Sequence, residues 1–149
     1  MRKKNPYPKI FYFAYGSNIN KKQMLYRCNG CKFIYYAVCL NYKFLINKRG
    51  VATIIKSKGK KTYGILWLIS QKNLKNLDHF EGLKSNRYYR KIIRVKFKEK
   101  FINAVTYFST NNNEGTPKEK YLELILEGIN YFKGNITWKN EIKNWKKNY

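Results

Sequence analysis

The stretch FYFAYGSNIN, residues 11–20, decides how the chain begins to fold. An aromatic, apolar run breaks off at Tyr15-Gly16-Ser17-Asn18, and a helical pattern over residues 19–27 starts at once. Strand side chains alternate between two faces, whereas helical ones recur every three to four residues, so this change of period predicts a strand over 9–14 feeding directly into a helix. Asn18 stands where an N-cap belongs, and Met24 and Leu25 give the helix its apolar side. A strand that leaves through a glycine into a helix start presents successive backbone N–H groups, with no Cβ at Gly16 to hinder approach. The stretch therefore reads either as a tight turn with a capped helix or as a cradle for an anion or a developing oxyanion.

Beyond it, four strand-like runs at 33–40, 42–46, 51–55 and 63–69 are separated by Asn, Lys and Gly, and two more at 88–97 and 101–108 flank a Lys98-Glu99-Lys100 turn. Between these groups Ser70 caps a second helix, in which Leu74, Leu77 and Glu81 fall on one face before Gly82 stops it. Residues 111–115 form a loop. Thr116-Pro117-Lys118-Glu119 carries an N-cap, a first-turn proline and a capping-box glutamate, which predicts a third helix from 117 to about 131. A short final helix presents Trp138, Ile142 and Trp145. The pattern is α+β, with no internal repeat and no linker long enough to separate domains, so one domain over 1–149 is expected.

The chain has 149 residues, of which 44% are hydrophobic, enough for a real core. Its formal charge of +24 raises the question of nucleic acid, but outside the patch at residues 56–61 the basic residues are scattered over every segment. No recognition module or single basic stripe accompanies the charge, so a nucleic acid is not expected as a partner. Met1-Arg2-Lys3-Lys4 resembles the start of a secretion signal, but Pro6 and Pro8 follow and the apolar run lasts only from Ile10 to Ala14. No signal and no membrane span are expected. Cys28, Cys31 and Cys39 are an odd number for a disulfide framework, which fits a reducing compartment, the cytosol. Cys28-Asn29-Gly30-Cys31 has the spacing of a zinc knuckle or redox pair, but no second pair follows; only Cys39 and His79 remain as ligands, and no metal is expected.

The eight acids narrow the chemistry. Glu99 and Glu114 lie in turns, Glu141 in the polar tail, and Glu119, Glu123 and Glu127 along the third helix, which leaves Asp78 and Glu81 beside the leucines of the second. Asp78 suits a structural acceptor for nearby backbone or lysine groups. Glu81 has two readings: buried against the sheet, where desolvation and the helix's negative end raise its pKa and make it a stronger base, or solvated in a frayed last turn beside Lys84 or Arg87. One histidine, His79, off the leucine face, gives a Ser-His or Cys-His pair nowhere to assemble.

Taken in order, YFAYGSN, YGILWLIS, LKNLDHFEGLKSNRYYR and TPKEKYLELILEGINYF resemble the gamma-glutamylcyclotransferase family over nearly the whole chain. The resemblance implies a small mixed β-barrel of six to seven strands with three to four surrounding helices, and cleavage of gamma-glutamyl amino acids to 5-oxoproline and a free amino acid. It places the catalytic acid and base at Glu81, the substrate-binding turn at Tyr12, Phe13, Ala14, Tyr15, Gly16, Ser17 and Asn18, and further pocket positions at Tyr88 and Tyr121. It implies no cofactor and a small gamma-glutamyl substrate, with the oligomeric state open, a homodimer included. In the glutathione-specific relatives a leucine follows Tyr-Gly-Ser; Asn18 departs from that branch. The alternatives are a gamma-glutamylamine substrate, or a non-catalytic basic binding protein on the same barrel.

Overall fold

The computed structural model describes residues 9–145; the leader reading of Met1 to Lys4, Pro6 and Pro8 lies outside them. Five strands, β1 (Ile10–Ala14), β2 (Lys32–Ile46), β3 (Ala52–Ile69), β4 (Tyr88–Phe97) and β5 (Lys100–Ser109), close into a barrel in the order β1-β3-β2-β4-β5. β1 runs parallel to β5, through Tyr12 and Val105, and every other pairing is antiparallel. The barrel is mixed, as expected, but it has five strands rather than six or seven. The runs at 33–40 and 42–46 fuse into β2, and those at 51–55 and 63–69 into β3. Leu40 pairs with Lys61 and Tyr42 with Lys56, so residues 57–60 oppose Asn41 alone. Asn41 takes φ 65 and its Oδ1 accepts the Gly59 N–H at 3.1 Å. Such a bulge bends two long strands around the barrel without ending either, so polar residues that look like a break are a corner.

The β4–β5 hairpin pairs Phe97 with Lys100, leaving Lys98 and Glu99 as a two-residue turn with φ 46 and 64, the backbone of a primed turn that matches strand twist. Helix α1 (Lys21–Arg27) follows a short 3-10 turn at Ser17–Ile19. In α2 (Gln71–Phe80) Ser70 and Asn73 exchange backbone-to-side-chain hydrogen bonds of 3.0 and 3.1 Å, a reciprocal cap, and Leu74 and Leu77 are buried. Gly82, at φ 69, ends it in the left-handed conformation, which leaves Glu81 as the C-cap residue.

Helix α3 (Tyr121–Tyr131) starts later than the local signals predict. The Thr116 and Glu119 cap does not form: Lys120 precedes the helix in a left-handed conformation and has no side-chain cap. Long-range bonds hold this segment instead, from Gly115 N–H to the Ile46 carbonyl and from Lys118 N–H to the Gly50 carbonyl, both 2.9 Å. Two backbone bonds to the β2–β3 connection outweigh one local cap. Once started, α3 packs on the 3-10 turn through Gly128, where a Cβ would stand 2.7 Å from the Ile19 carbonyl oxygen. Helix α4 (Ile136–Trp145) closes the fold by burying Trp138 and Ile142. No helix among the described residues is long and apolar enough to cross a membrane.

Candidate active site

A cavity of about 310 Å³ opens at the barrel end where β1 gives way to the 3-10 turn. Glu81, Gly16, Ser17 and Asn18 line it, with Tyr12, Tyr15, Tyr88 and Tyr121. Phe13 and Ala14, also expected at the site, are fully buried elements of β1 and are not among its lining residues. The reason is the strand itself: Phe13 pairs with Leu66 and its carbonyl accepts the Thr106 hydroxyl at 2.8 Å, so both residues serve the barrel.

Asn18 is not a helix cap. The cap of α1 is Asn20, whose side chain accepts the Gln23 N–H at 3.1 Å and whose carbonyl accepts the Met24 N–H at 2.9 Å. An N-cap carbonyl must accept the first bond of its helix, and that of Asn18 is taken by the Trp67 indole at 3.1 Å. The buried Asn18 amide is thereby turned toward the cavity. Its Nδ2 donates to the Tyr12 hydroxyl at 2.8 Å and to Glu81 Oε1 at 3.2 Å, while its Oδ1 accepts from Gln23 at 3.0 Å and Arg27 at 3.1 Å. The cradle reading of the turn changes with it, since only a three-residue 3-10 turn, not the α-helix, starts there. What the turn presents is Ser17, beside the Tyr121 hydroxyl, which accepts the Ala52 N–H at 3.0 Å.

Glu81 follows the buried reading rather than the solvated one: its side chain is 16% exposed. Its cation is neither Lys84 nor, in contact, Arg87, but Arg27, at 3.9 Å, the outer limit of an ion pair. The Arg27 guanidinium instead lies over the Phe80 ring, 4.8 Å from its centre. Desolvation therefore prevails. It pushes the Glu81 carboxyl up to about 7, against the opposing pull of Arg27, the Asn18 hydrogen bond and Arg87. The tyrosines around it remain neutral for the same reason. Burial, with Glu81 nearby, raises Tyr12, Tyr15 and Tyr88 well above the ordinary phenol value, and Tyr121 to about 12. Tyr88 donates to the Ala52 carbonyl at 2.7 Å, so the two backbone groups of Ala52 tie Tyr88 and Tyr121 to the start of β3.

The other candidates lie elsewhere. Asp78 accepts from Tyr107 at 2.7 Å and pairs with Arg90, an acceptor as expected but for different partners than backbone or lysine. His79 is exposed. Cys28, Cys31 and Cys39 are free and buried, and burial pushes their thiols up to about 12, 11 and 12. Among the described residues no three His, Cys, Asp or Glu side chains gather as metal ligands. Sequence reasoning missed Gln23, Arg27, Arg49, Tyr107 and Lys118, all of which line the cavity, and placed Arg87 only as a surface partner. Gln23 and Arg27 carried a readable signal, being four apart on one face of α1; Arg49 and Lys118 carried none.

Comparison with known proteins agrees with this architecture. Residues 61–132 match the family model described as the AIG2-like family. The gamma-glutamylcyclotransferase of Homo sapiens is 30% identical, the match covering 80% of this chain and 69% of the human one, and that of Mus musculus is 31% identical with the same coverage. A solved structure named gamma-glutamyl cyclotransferase superposes with a TM-score of 0.84 at 28% identity, covering 90% of this chain and 86% of that one.

Proposed function

The chain belongs to the gamma-glutamylcyclotransferase family, and from that premise we propose that it is a cytosolic, single-domain enzyme that converts gamma-glutamyl amino acids to 5-oxoproline and a free amino acid, with Glu81 as the group that moves the proton. The observation that carries this reading is that the buried carboxyl of Glu81 and the Gly16–Ser17 turn open into one cavity.

In this reaction the α-amine of the substrate attacks its own γ-carbonyl. A bond forms between the α-nitrogen and the carbonyl carbon of the γ-glutamyl group, and the bond from that carbonyl carbon to the departing nitrogen breaks. Because the nucleophile is part of the substrate, the protein needs no serine or cysteine nucleophile; it holds a folded conformer so that the attack is intramolecular. The α-amine is protonated at an ordinary pKa of about 8, so a base must take one proton before attack; the attacking nitrogen loses a second as the lactam forms, and a proton must reach the departing nitrogen for it to leave as an amine. With its carboxyl at about 7, Glu81 is matched to that amine and can do both in turn. An ordinary carboxyl would accept the proton far less readily.

The rest of the wall holds and orients. Asn18 fixes Glu81 Oε1, and Gln23 and Arg27 fix Asn18. The Tyr121 hydroxyl and the Gly16–Ser17 backbone form the polar floor for the glutamyl carboxylate or the tetrahedral oxygen. Tyr12, Tyr15 and Tyr88 close the pocket with rings whose neutral hydroxyls add no competing negative charge. Incubation of the purified protein with gamma-glutamyl-L-alanine should release 5-oxoproline. No product from the intact protein, or equal product from Glu81→Gln, rejects the reading.

A further inference from the structure

The outer rim of the cavity carries positive charge that cyclisation itself does not use. Arg49, Arg87 and Lys118 all line it, and they adjoin one another. The Arg49 guanidinium donates to the Arg87 carbonyl at 3.0 Å, and the Lys118 N–H is bonded to the carbonyl of Gly50, the residue after Arg49. Arg87 folds back over Gly82, so closely that a Cβ there would stand 2.5 Å from its Nε. That contact keeps its guanidinium beside the residue that follows Glu81. Arg27 differs: it is committed to the inner wall through Asn18 and Phe80. Among the described residues none of the three rim cations forms an ion pair.

A gamma-glutamyl amino acid brings two carboxylates to such a site. One stays with the glutamyl half; the other leaves with the departing amino acid. With the glutamyl half folded against Ser17 and its γ-carbonyl beside Glu81, the departing half extends toward the mouth, where the rim lies. Arginine meets a carboxylate through a planar fork of donors and lysine through a point charge, and three cations can serve more than one carboxylate. We propose that Arg49, Arg87 and Lys118 recognise anionic groups on the departing half, which makes gamma-glutamyl acidic amino acids the preferred substrate class. The inference rests on the cyclotransferase reading and adds to it which half of the substrate sets specificity, and through which residues.

The test is a series in which the departing half carries two, one or no carboxylates: gamma-glutamyl-L-glutamate, gamma-glutamyl-L-alanine and gamma-glutamylethylamide. The expected kcat/KM falls in that order by about fivefold per carboxylate, the scale of a solvent-accessible ion pair. In Arg49→Ala/Arg87→Ala the ratio between the first and last substrates should collapse toward one, and in Arg49→Glu/Arg87→Glu the order should invert. Lys58→Ala/Lys60→Ala removes the same two charges from a distant exposed patch and should leave the ranking in place, which separates the rim from the general field of the molecule. Equal kcat/KM across the series, or a ranking that survives both rim variants, overturns the inference while leaving the cyclotransferase reading intact. If no substrate yields 5-oxoproline, that reading fails, and calorimetric Kd values for the same three compounds decide the rim alone. Tighter binding with each added carboxylate, lost in Arg49→Ala/Arg87→Ala, supports it; equal or no binding overturns it.

Discussion

Asp78 and Glu81 stand less than one helical turn apart at the end of α2, and their surroundings treat the two carboxyls in opposite ways. Asp78 receives a tyrosine hydroxyl at 2.7 Å and an arginine in direct contact, so its charge is compensated where it sits. Glu81 receives one bond of 3.2 Å from a neutral amide, and its arginine stays at 3.9 Å. The difference teaches that a carboxyl is held nearer neutral pKa here by withholding partners. Both carboxyls are largely removed from water, and Glu81, the one left short of hydrogen bonds, is pushed to where it can exchange protons near neutral pH.

The sharpest way to break this comparison is to neutralise each carboxyl in turn. Glu81→Gln should lower kcat/KM for 5-oxoproline formation by about a thousandfold, within the range of lost general acid–base catalysis, whereas Asp78→Asn should stay within about tenfold of the parent. Comparable losses would mean that the two are not distinct in kind. The pH profile should agree: activity rises with pH through about 7, as Glu81 loses its proton.

Stability should separate them next. The folded pKa of Glu81, about 7, lies above its unfolded value of 4.5, so the folded state holds the extra proton between those values. Its contribution is full below about 4.5 and lost as pH rises through about 7. At pH 8 the Glu81→Gln protein should therefore be more stable than the parent, by on the order of 2 kcal/mol, and the gap should narrow toward pH 5 in urea melts. Asp78→Asn should have the opposite sign, a loss of about 1–2 kcal/mol at pH 8, because Tyr107 and Arg90 lose a charged acceptor. The smallest effect concerns Asn18. Its hydrogen bond pulls Glu81 downward, so Asn18→Ala should move the rising limb of the pH–rate profile up, by about half a unit; a downward move would show that the amide favours the neutral acid.

Much of the fold was legible because it depends on local chemistry. Ser70 and Gly82 bracket α2, and the two turn residues at 98 and 99 sit between strands of the expected period. Where local and distant bonds competed, local reading failed. Thr116 and Glu119 are a sound capping box, overruled by the bonds to Ile46 and Gly50. Asn18 is a sound N-cap, overruled by the Trp67 indole, and it then became the residue that touches Glu81. The polar residues around Gly59 look like a break, yet a bulge carries β3 through them.

The sequence alone determined the alternation of strands and helices, the stop at Gly16, and a carboxylate at position 81 on a leucine-bearing face, because each follows from spacing along a few consecutive residues. Only the tertiary structure decided that this carboxylate is short of partners and that the rim is basic. Arg27, Arg49, Arg87 and Lys118 come from four separate segments, and both burial and the distance between charges are set by what the barrel brings together.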